Sequence, residues 1–224
     1  MTDRGYSYTP PLGHAWLTPL YDTAIRVSTR EGVWRSAFIK QIAPSPSDRI
    51  LDVGCGTGTL AIALNRLEPE ADIIGIDPDS QALGRAAAKV GTGSRSIRFV
   101  QGFLSQEILP ANWKPTKIIS SLVFHQTPLG TKREIIRMMR SLLAENGEIH
   151  IADYGKQRSV LMRLLFRLTV QMLDGVADTQ SNADGILPEL MHEAGLKVDE
   201  TRRLVTPTGS ISLYRATPYG LLAP

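Results

Sequence analysis

The stretch Ile50-Leu51-Asp52-Val53-Gly54-Cys55-Gly56-Thr57-Gly58-Thr59-Leu60-Ala61 limits the fold of this chain more than any other. Ile50, Leu51 and Val53 read as the end of a buried strand, and Thr59 with Leu60, Ile62, Ala63 and Leu64 reads as a helix start. Between them the glycines at 54, 56 and 58 remove every Cβ where the chain must turn. Such a strand, turn and helix N-terminus let a ligand come close to the backbone and meet unpaired N–H groups. The spacing narrows the ligand. A dinucleotide fingerprint is G-x-G-x-x-G, whereas here Thr59 holds the last position and Gly58 comes one residue early. A nicotinamide-type site built around a pyrophosphate is therefore set aside.

Asp52 followed by G-x-G-x-G resembles the first motif of class I S-adenosylmethionine (SAM)-dependent methyltransferases. Leu20-Tyr21-Asp22 resembles the Tyr-Asp element before the core in the quinone-type, small-molecule branch. Ser120-Ser121-Leu122-Val123-Phe124-His125 looks like that branch's fourth motif and unlike the Asn/Asp-Pro-Pro-Tyr/Phe clamp of base amino methyltransferases. The resemblance runs from about Tyr21 to Thr217 and is most specific over residues 50–77. It implies a Rossmann-like α/β fold, with a seven-stranded, mostly parallel sheet, an antiparallel C-terminal hairpin and helices on both faces. It also implies SAM as cofactor and S-adenosylhomocysteine as product. Asp52, Gly54, Cys55, Gly56, Thr57 and Gly58 would then pack against the methionine and adenosine parts, with Tyr21 folding over them. Gly102, Phe103, Leu104, Ser121 and Leu122 would complete that pocket. By the same token residues 1–42 form an arm and helices that cover the site, and residues 43–224 form the SAM-binding domain.

Ala71–Asp77 reads as the second strand. Asp77 ends it about 20 residues past the glycine loop, the spacing at which an acid reaches a ribose, and its carboxylate suits two vicinal hydroxyls. Asp77, just before Pro78, could instead cap the next helix, but Asp79 and Ser80 can supply that cap. Ile97–Gly102 is the third strand. Members of the resembled family commonly carry Asp after this glycine, accepting from the adenine amino group. Here Phe103 follows, so the purine contact passes to its ring face, with Gln106 or a carbonyl as acceptor.

Lys117–Phe124 is the fourth strand and ends at His125, which places that residue at the ligand crevice of an open α/β sheet. Thr131–Leu143 reads as a helix with Ile135, Ile136, Met139, Leu142 and Leu143 inward, Lys132, Arg133, Arg137 and Arg140 elsewhere, and Asn146-Gly147 closing it. Glu148–Gly155 is the fifth strand; Asp153 and Tyr154 leave its carboxyl edge, while His150 lies within it as a structural residue. A helix over about 157–175 follows, with an apolar stripe of Leu161, Leu164, Leu165, Leu168 and Met172, widened by Phe166, Val170 and Leu173. Four roles compete for it: a lid over an apolar acceptor, a homodimer face, peripheral membrane contact through 157–173, or plain core packing. Asn182–Ala194 reads as one further helix, and Leu196–Thr206 with Ser210–Thr217 as a hairpin.

The chain has 224 residues, 42% hydrophobic and 21% charged, as a soluble globular protein of one domain would. Its formal net charge of +3 is no nucleic-acid footprint, and no nucleic-acid partner is expected. A single cysteine, Cys55, forbids an intrachain disulfide, so the cytoplasm is the default compartment, and no apolar run reaches transmembrane length.

These residues lead to a chemical expectation. The resemblance implies an enzyme that moves a methyl group by SN2 displacement to a small apolar or aromatic metabolite. His125 is the first candidate for the base that frees the acceptor's lone pair, with Tyr154 and Asp153 behind it. No cluster of carboxylates at a strand end suggests a metal, and Cys55 reads as a small packing residue. Two other classes stand beside this: a methyltransferase acting on RNA or protein, and a SAM-binding protein without methyl transfer.

Overall fold

The computed structural model of the chain describes residues 30–90 and 96–220. Seven strands, β1 (Arg49–Val53), β2 (Asp72–Asp77), β3 (Ile97–Gln101), β4 (Lys117–Ser121), β5 (Glu148–Tyr154), β6 (Leu196–Thr206) and β7 (Gly209–Pro218), form one sheet in the order β3-β2-β1-β4-β5-β7-β6. The first five are mutually parallel; β7 runs antiparallel to β5 and β6 antiparallel to β7. This is the sheet and hairpin that the resemblance implies.

Strands buried on both faces carry apolar residues at successive positions, because each neighbour serves a different layer. Ile50, Ile73 and Ile119 point to one core, together with Trp34 and Phe38 of α1 (Glu31–Ile42) and Leu60 and Leu64 of α2 (Thr59–Leu67). Leu51, Ile74 and Ile118 point to the other, with Ile136 and Met139 of α4 (Leu129–Leu142) and Leu190 of α8 (Leu187–Glu193). The helix between β2 and β3, α3 (Ser80–Val90), begins where Asp79 accepts the N–H groups of Gln81 and Ala82, so Asp79 is the cap. The strand order reverses between β1 and β4, and the carboxyl ends of those strands flank the crevice.

The structure departs from the sequence reading in several places. Strand β4 stops at Ser121; Leu122 turns at φ 55°, and Phe124–Gln126 form a single 3-10 turn. Helix α4 is not closed by a left-handed glycine. Leu143 is already extended, and Gly147 sits against Leu143 and the Thr116 carbonyl, where a Cβ would collide. Lys132, expected on the polar side, is fully buried. The 157–175 helix is two, α5 (Val160–Leu168) and α6 (Val170–Asp174). They break at Thr169, whose hydroxyl donates to the Leu165 carbonyl at 2.6 Å and competes with helix continuation. The single helix expected over 182–194 is likewise two, α7 (Val176–Asp184) and α8, separated by Gly185 at φ 93°.

The apolar stripe of α5 and α6 is divided. Leu161, Leu164, Leu168 and Met172 are exposed, while Phe166 and Val170, which widen it, are buried together with Met162. Both rows are apolar at helical spacing, so periodicity alone did not choose between them. Tyr21 and the arm before Arg30 lie outside the described residues.

Candidate active site

The glycine loop is tied to β2. Gly54 and Cys55 both donate to the Ile76 carbonyl, at 2.9 and 3.0 Å, and Gly56 donates to Asp77 Oδ2 at 2.7 Å. The turn needs positive φ at Gly54, Gly56 and Gly58, which are 70°, 52° and 70°. A Cβ at Gly54 would run into Val123, and one at Gly58 would lie 2.6 Å from Phe99; at Gly56 nothing lies within 4 Å, which leaves open space for a ligand. Thr57 is held from outside by Lys89, whose ammonium donates to its carbonyl and hydroxyl at 2.9 Å. Burial pushes the Cys55 thiol well up, which excludes it as a nucleophile.

Asp52 and Asp77 face this space as a pair. Asp52 is 1% exposed and neither carboxylate oxygen has a hydrogen-bond partner among the described residues. Burial, then repulsion from Asp77, raises its pKa to about 7, opposed by Arg35. An orphaned buried acid of this kind calls for a cation. Asp77 uses one lone pair of each oxygen internally, taking Gly56 N–H and, at 2.9 Å, Asp79 N–H, and each oxygen keeps another for a ribose hydroxyl. Burial raises the Asp77 pKa as well, against the pull of those two N–H groups.

Two α1 residues missed by sequence reasoning join the site. Trp34 Nε1 and Arg35 Nε are buried without a hydrogen-bond partner among the described residues, and Arg35 acts electrostatically on Asp52. At the other end of the crevice Phe103 is half exposed, beside Gly102 at φ 154° and half-buried Leu104. Pro78 accepts from Gln101 through its carbonyl. Ser121 and Leu122 lie at the end of β4, with Leu122 N–H donating to the Ala152 carbonyl at 2.9 Å.

The second half of the crevice centres on His125. Its Nδ1 lies 3.0 Å from Asp153 Oδ1, and its Nε2 3.5 Å from Asp174 Oδ2 at the end of α6. Burial alone would lower its pKa, but the charge and hydrogen bond of Asp153, and then those of Asp174, raise it to about 9. At neutral pH the ring is therefore an imidazolium in this arrangement. Asp153, a candidate base in the sequence, holds His125 Nδ1 through Oδ1. The same oxygen also accepts the N–H groups of Tyr154 at 2.7 Å and His125 at 3.3 Å, with the Asn182 amide at 3.4 Å, while Oδ2 accepts the Phe124 N–H at 2.7 Å.

Tyr154, the other candidate at the end of β5, is buried. Its hydroxyl pairs with Thr208 Oγ at 2.7 Å in the hairpin turn, and its ring meets His125 edge-on at 5.1 Å between centroids. Phe166 of α5 packs on the other side, with centroids 5.2 Å apart. Lys132 reaches beneath this layer, donating to the Asp178 carbonyl at 2.6 Å and Ser181 Oγ at 2.8 Å; burial lowers its pKa to about 8, against Asp153 and Asp178. His150 is structural, as its sequence position suggests: its Nδ1 pairs with the Gln41 amide at 3.1 Å and burial lowers its pKa.

Comparison with known proteins bears on the ligand of this crevice. A family model described as a methyltransferase domain matches residues 50–147, which run from the glycine loop to the start of β5. A demethylmenaquinone methyltransferase from Deinococcus radiodurans is 29% identical over 217 residues, covering 92% of this chain and 87% of that protein. These matches support a class I SAM-dependent methyltransferase. A second relative, the demethylmenaquinone methyltransferase of Lactobacillus johnsonii, is 36% identical to this methyltransferase over 154 residues, 66% of this chain and 62% of that one. The magnesium protoporphyrin IX methyltransferase of Synechocystis, solved with bound S-adenosylhomocysteine, shares the fold at a TM-score of 0.69 and 18% identity, covering 92% of this chain and 90% of that one. The same Synechocystis enzyme has also been solved with SAM bound. The residues present suit SAM: an orphaned buried acid, a second acid at ribose spacing, and a loop open beyond Gly56. No described helix of the methyltransferase is long and apolar enough to cross a membrane.

Proposed function

We propose that this methyltransferase methylates a small, apolar, ring-containing acceptor beside His125. The observation that carries the reading is the buried His125–Asp153 pair, 3.0 Å apart at the carboxyl end of β4 and walled by Tyr154 and Phe166. The relatives' names, demethylmenaquinone and magnesium protoporphyrin IX, both denote ring systems of that kind.

When bound, SAM supplies an electrophilic methyl group on a sulfonium. The remaining work falls to the chain. In this proposal Asp52 receives the amino group of the methionine part, with Arg35 within reach of its carboxylate. Asp77 accepts from the ribose hydroxyls, Phe103 and Leu104 line the purine, and the backbone at Gly54, Gly56, Gly58, Ser121 and Leu122 shapes the pocket. Asp153 fixes the direction of His125, whose Nε2 faces the acceptor: the imidazolium pairs with the acceptor's anion, and the neutral ring, once deprotonated, takes the acceptor's acidic proton. The walls exclude water, which strengthens the attraction between a developing anion and the imidazolium.

The test is a metabolite extract incubated with the protein and isotopically labelled SAM, read by mass. Label in an apolar ring compound supports the reading; label confined to RNA or protein, or bound SAM with no transfer to anything, overturns it.

A further inference from the structure

Once Asp153 has taken Nδ1, the imidazole of His125 keeps one reactive edge, and that edge faces Asp174. The two carboxylates are held very differently. Asp153 is fully buried and gripped by backbone N–H groups on three residues. Asp174 is the last residue of the five-residue helix α6, its side chain is 19% exposed, and among the described residues His125 is its sole hydrogen-bonding or ion-pairing partner. Gly175 follows at φ 81°, and the neighbours Met172 and Leu173 are exposed. Moving Asp174 aside therefore breaks few contacts, whereas moving Asp153 would break a buried network.

Resting on the methyltransferase reading above, we propose that Asp174 occupies the acceptor's own place against His125. The acceptor is then a weak acid, a phenolic or enolic hydroxyl, that binds as its anion and displaces the lid carboxylate from Nε2. The buried charges require this exchange to be like for like. Against His125 stand Asp153 from β5 and Asp174 from α6, with the Tyr154 ring at its edge; Lys132 from α4 acts on Asp153 and on Asp178 of α7, and the neutral Asn182 of α7 donates to Asp153. An anion that replaces Asp174 keeps the imidazolium paired on both nitrogens. A neutral ring with no acceptor that pushed Asp174 out would leave the buried Nε2–H unpaired, with Asp153 alone facing the imidazolium, which is unfavourable. The displacing anion is also the electron-rich group that methyl transfer to an oxygen or an adjacent ring carbon uses, so the lid carboxylate marks where the nucleophile sits. A neutral hydroxyl that hands its proton to a neutral His125 reaches the same ion pair.

Two measurements test it on the full chain. Nitrogen-15 NMR of labelled histidine follows the titration of His125, its signal assigned by loss in His125→Gln. Asp174→Asn should move the midpoint down by about one pH unit or more, and Asp174→Glu should restore it; an unmoved midpoint in Asp174→Asn, or in Asp174→Ser should the first variant not fold, overturns the pairing. Binding of 4-nitrophenolate, read by its visible absorbance in the presence of S-adenosylhomocysteine, should tighten several-fold in Asp174→Asn, where the competing charge is gone, and the methyl ether 4-nitroanisole should not respond. Equal response of phenolate and ether, or no response of either, overturns the exchange. Calorimetric binding of S-adenosylhomocysteine is measured on the same samples. If that fails, the methyltransferase reading falls, while the His125 titration still reports on Asp174.

Discussion

Asp77 Oδ2 accepts the Gly56 N–H at 2.7 Å, so the acid that ends β2 and the loop that follows β1 are one piece. Removing the carboxylate takes away a loop anchor and, in the proposed pose, both ribose acceptors. Asp77→Ala should weaken S-adenosylhomocysteine binding by about 1.5–3 kcal/mol, the usual range for a hydrogen bond to a charged group. Asp77→Asn should rescue only one of the two N–H contacts, because the amide oxygen can accept from Gly56 or from Asp79 while the amide nitrogen sets donor against donor at the other. Calorimetry on folded protein decides it; wild-type affinity in Asp77→Ala would remove Asp77 from the cofactor site.

The loop glycines should respond differently to substitution. At Gly54 a side chain meets both an unfavourable φ of 70° and a collision with Val123; at Gly56 the space is open and only the φ of 52° opposes it. Asn tolerates the left-handed region better than other non-glycine residues. Gly56→Asn should therefore fold close to wild type yet lose cofactor affinity, since its side chain fills the open space, whereas Gly54→Val should lower the melting temperature as well. Paired thermal melts and binding isotherms separate the two effects, and wild-type cofactor affinity in Gly56→Asn would show that the space beyond Gly56 is not the cofactor's.

Much of this was readable in advance. The run from Ile50 to Asp77 announced strand, turn, helix and acid because each step follows from local chemistry: missing Cβ atoms, a period of 3.6, a β-rich apolar run. His125 and Asp153 were both expected at the crevice, since each ends a strand. Their partnership was not, because it depends on the Leu122–Phe124 turn folding back onto β5. Lys132 carried a signal that charge concealed: it lies four and seven residues before Ile136 and Met139, on their buried stripe. Asp174 carried none. Its position follows from the break at Thr169, which redirects the chain after α5.

The two apolar rows of α5 give a stability test. Phe166 is 1% exposed and packs on Tyr154, so Phe166→Ala should cost about 3–5 kcal/mol. Leu164 and Leu168 are about half exposed, and serine at either should change stability by within about 0.5 kcal/mol. Denaturant unfolding measures all three. Comparable losses at Leu164 and Phe166 would mean that the outer face of α5 is buried in solution.

Cofactor affinity should depend on pH through Asp52. Its pKa is raised to about 7 from the ordinary 3.8, so in the free protein it is largely protonated at acid pH. In the proposed pose a cationic amino group binds the ionised form, so affinity should rise with pH up to about 7 and then level off, by at most about tenfold per pH unit. Asp52→Asn should bind more weakly at pH 8 and show a flatter profile. Titrations with S-adenosylhomocysteine between pH 5 and 8 test it; a wild-type profile as flat as the variant's would show that Asp52 receives no cation.

His125 links stability and turnover to pH in opposite directions. Its pKa is raised to about 9 from 6.5, so the folded state binds its proton more tightly than the unfolded chain does. The stabilisation is complete below the unfolded value, declines above 6.5 and is gone once pH passes about 9. The melting temperature should fall across that window, and in His125→Gln this part of the fall should vanish. The raised Asp52 acts in the same sense at lower pH, between 3.8 and about 7, and the lowered Lys132 acts in the opposite sense above about 8, so the fall between about 7 and 8 belongs to His125. Turnover on the true acceptor behaves otherwise, because the acceptor must lose its proton. With His125 as the base, kcat/KM should rise with pH toward the free protein's titration midpoint. His125→Ala should lower kcat by about 10²–10⁴-fold with cofactor affinity little changed. Full turnover in His125→Ala would reduce the residue to holding the turn after β4, with proximity alone accounting for the rate.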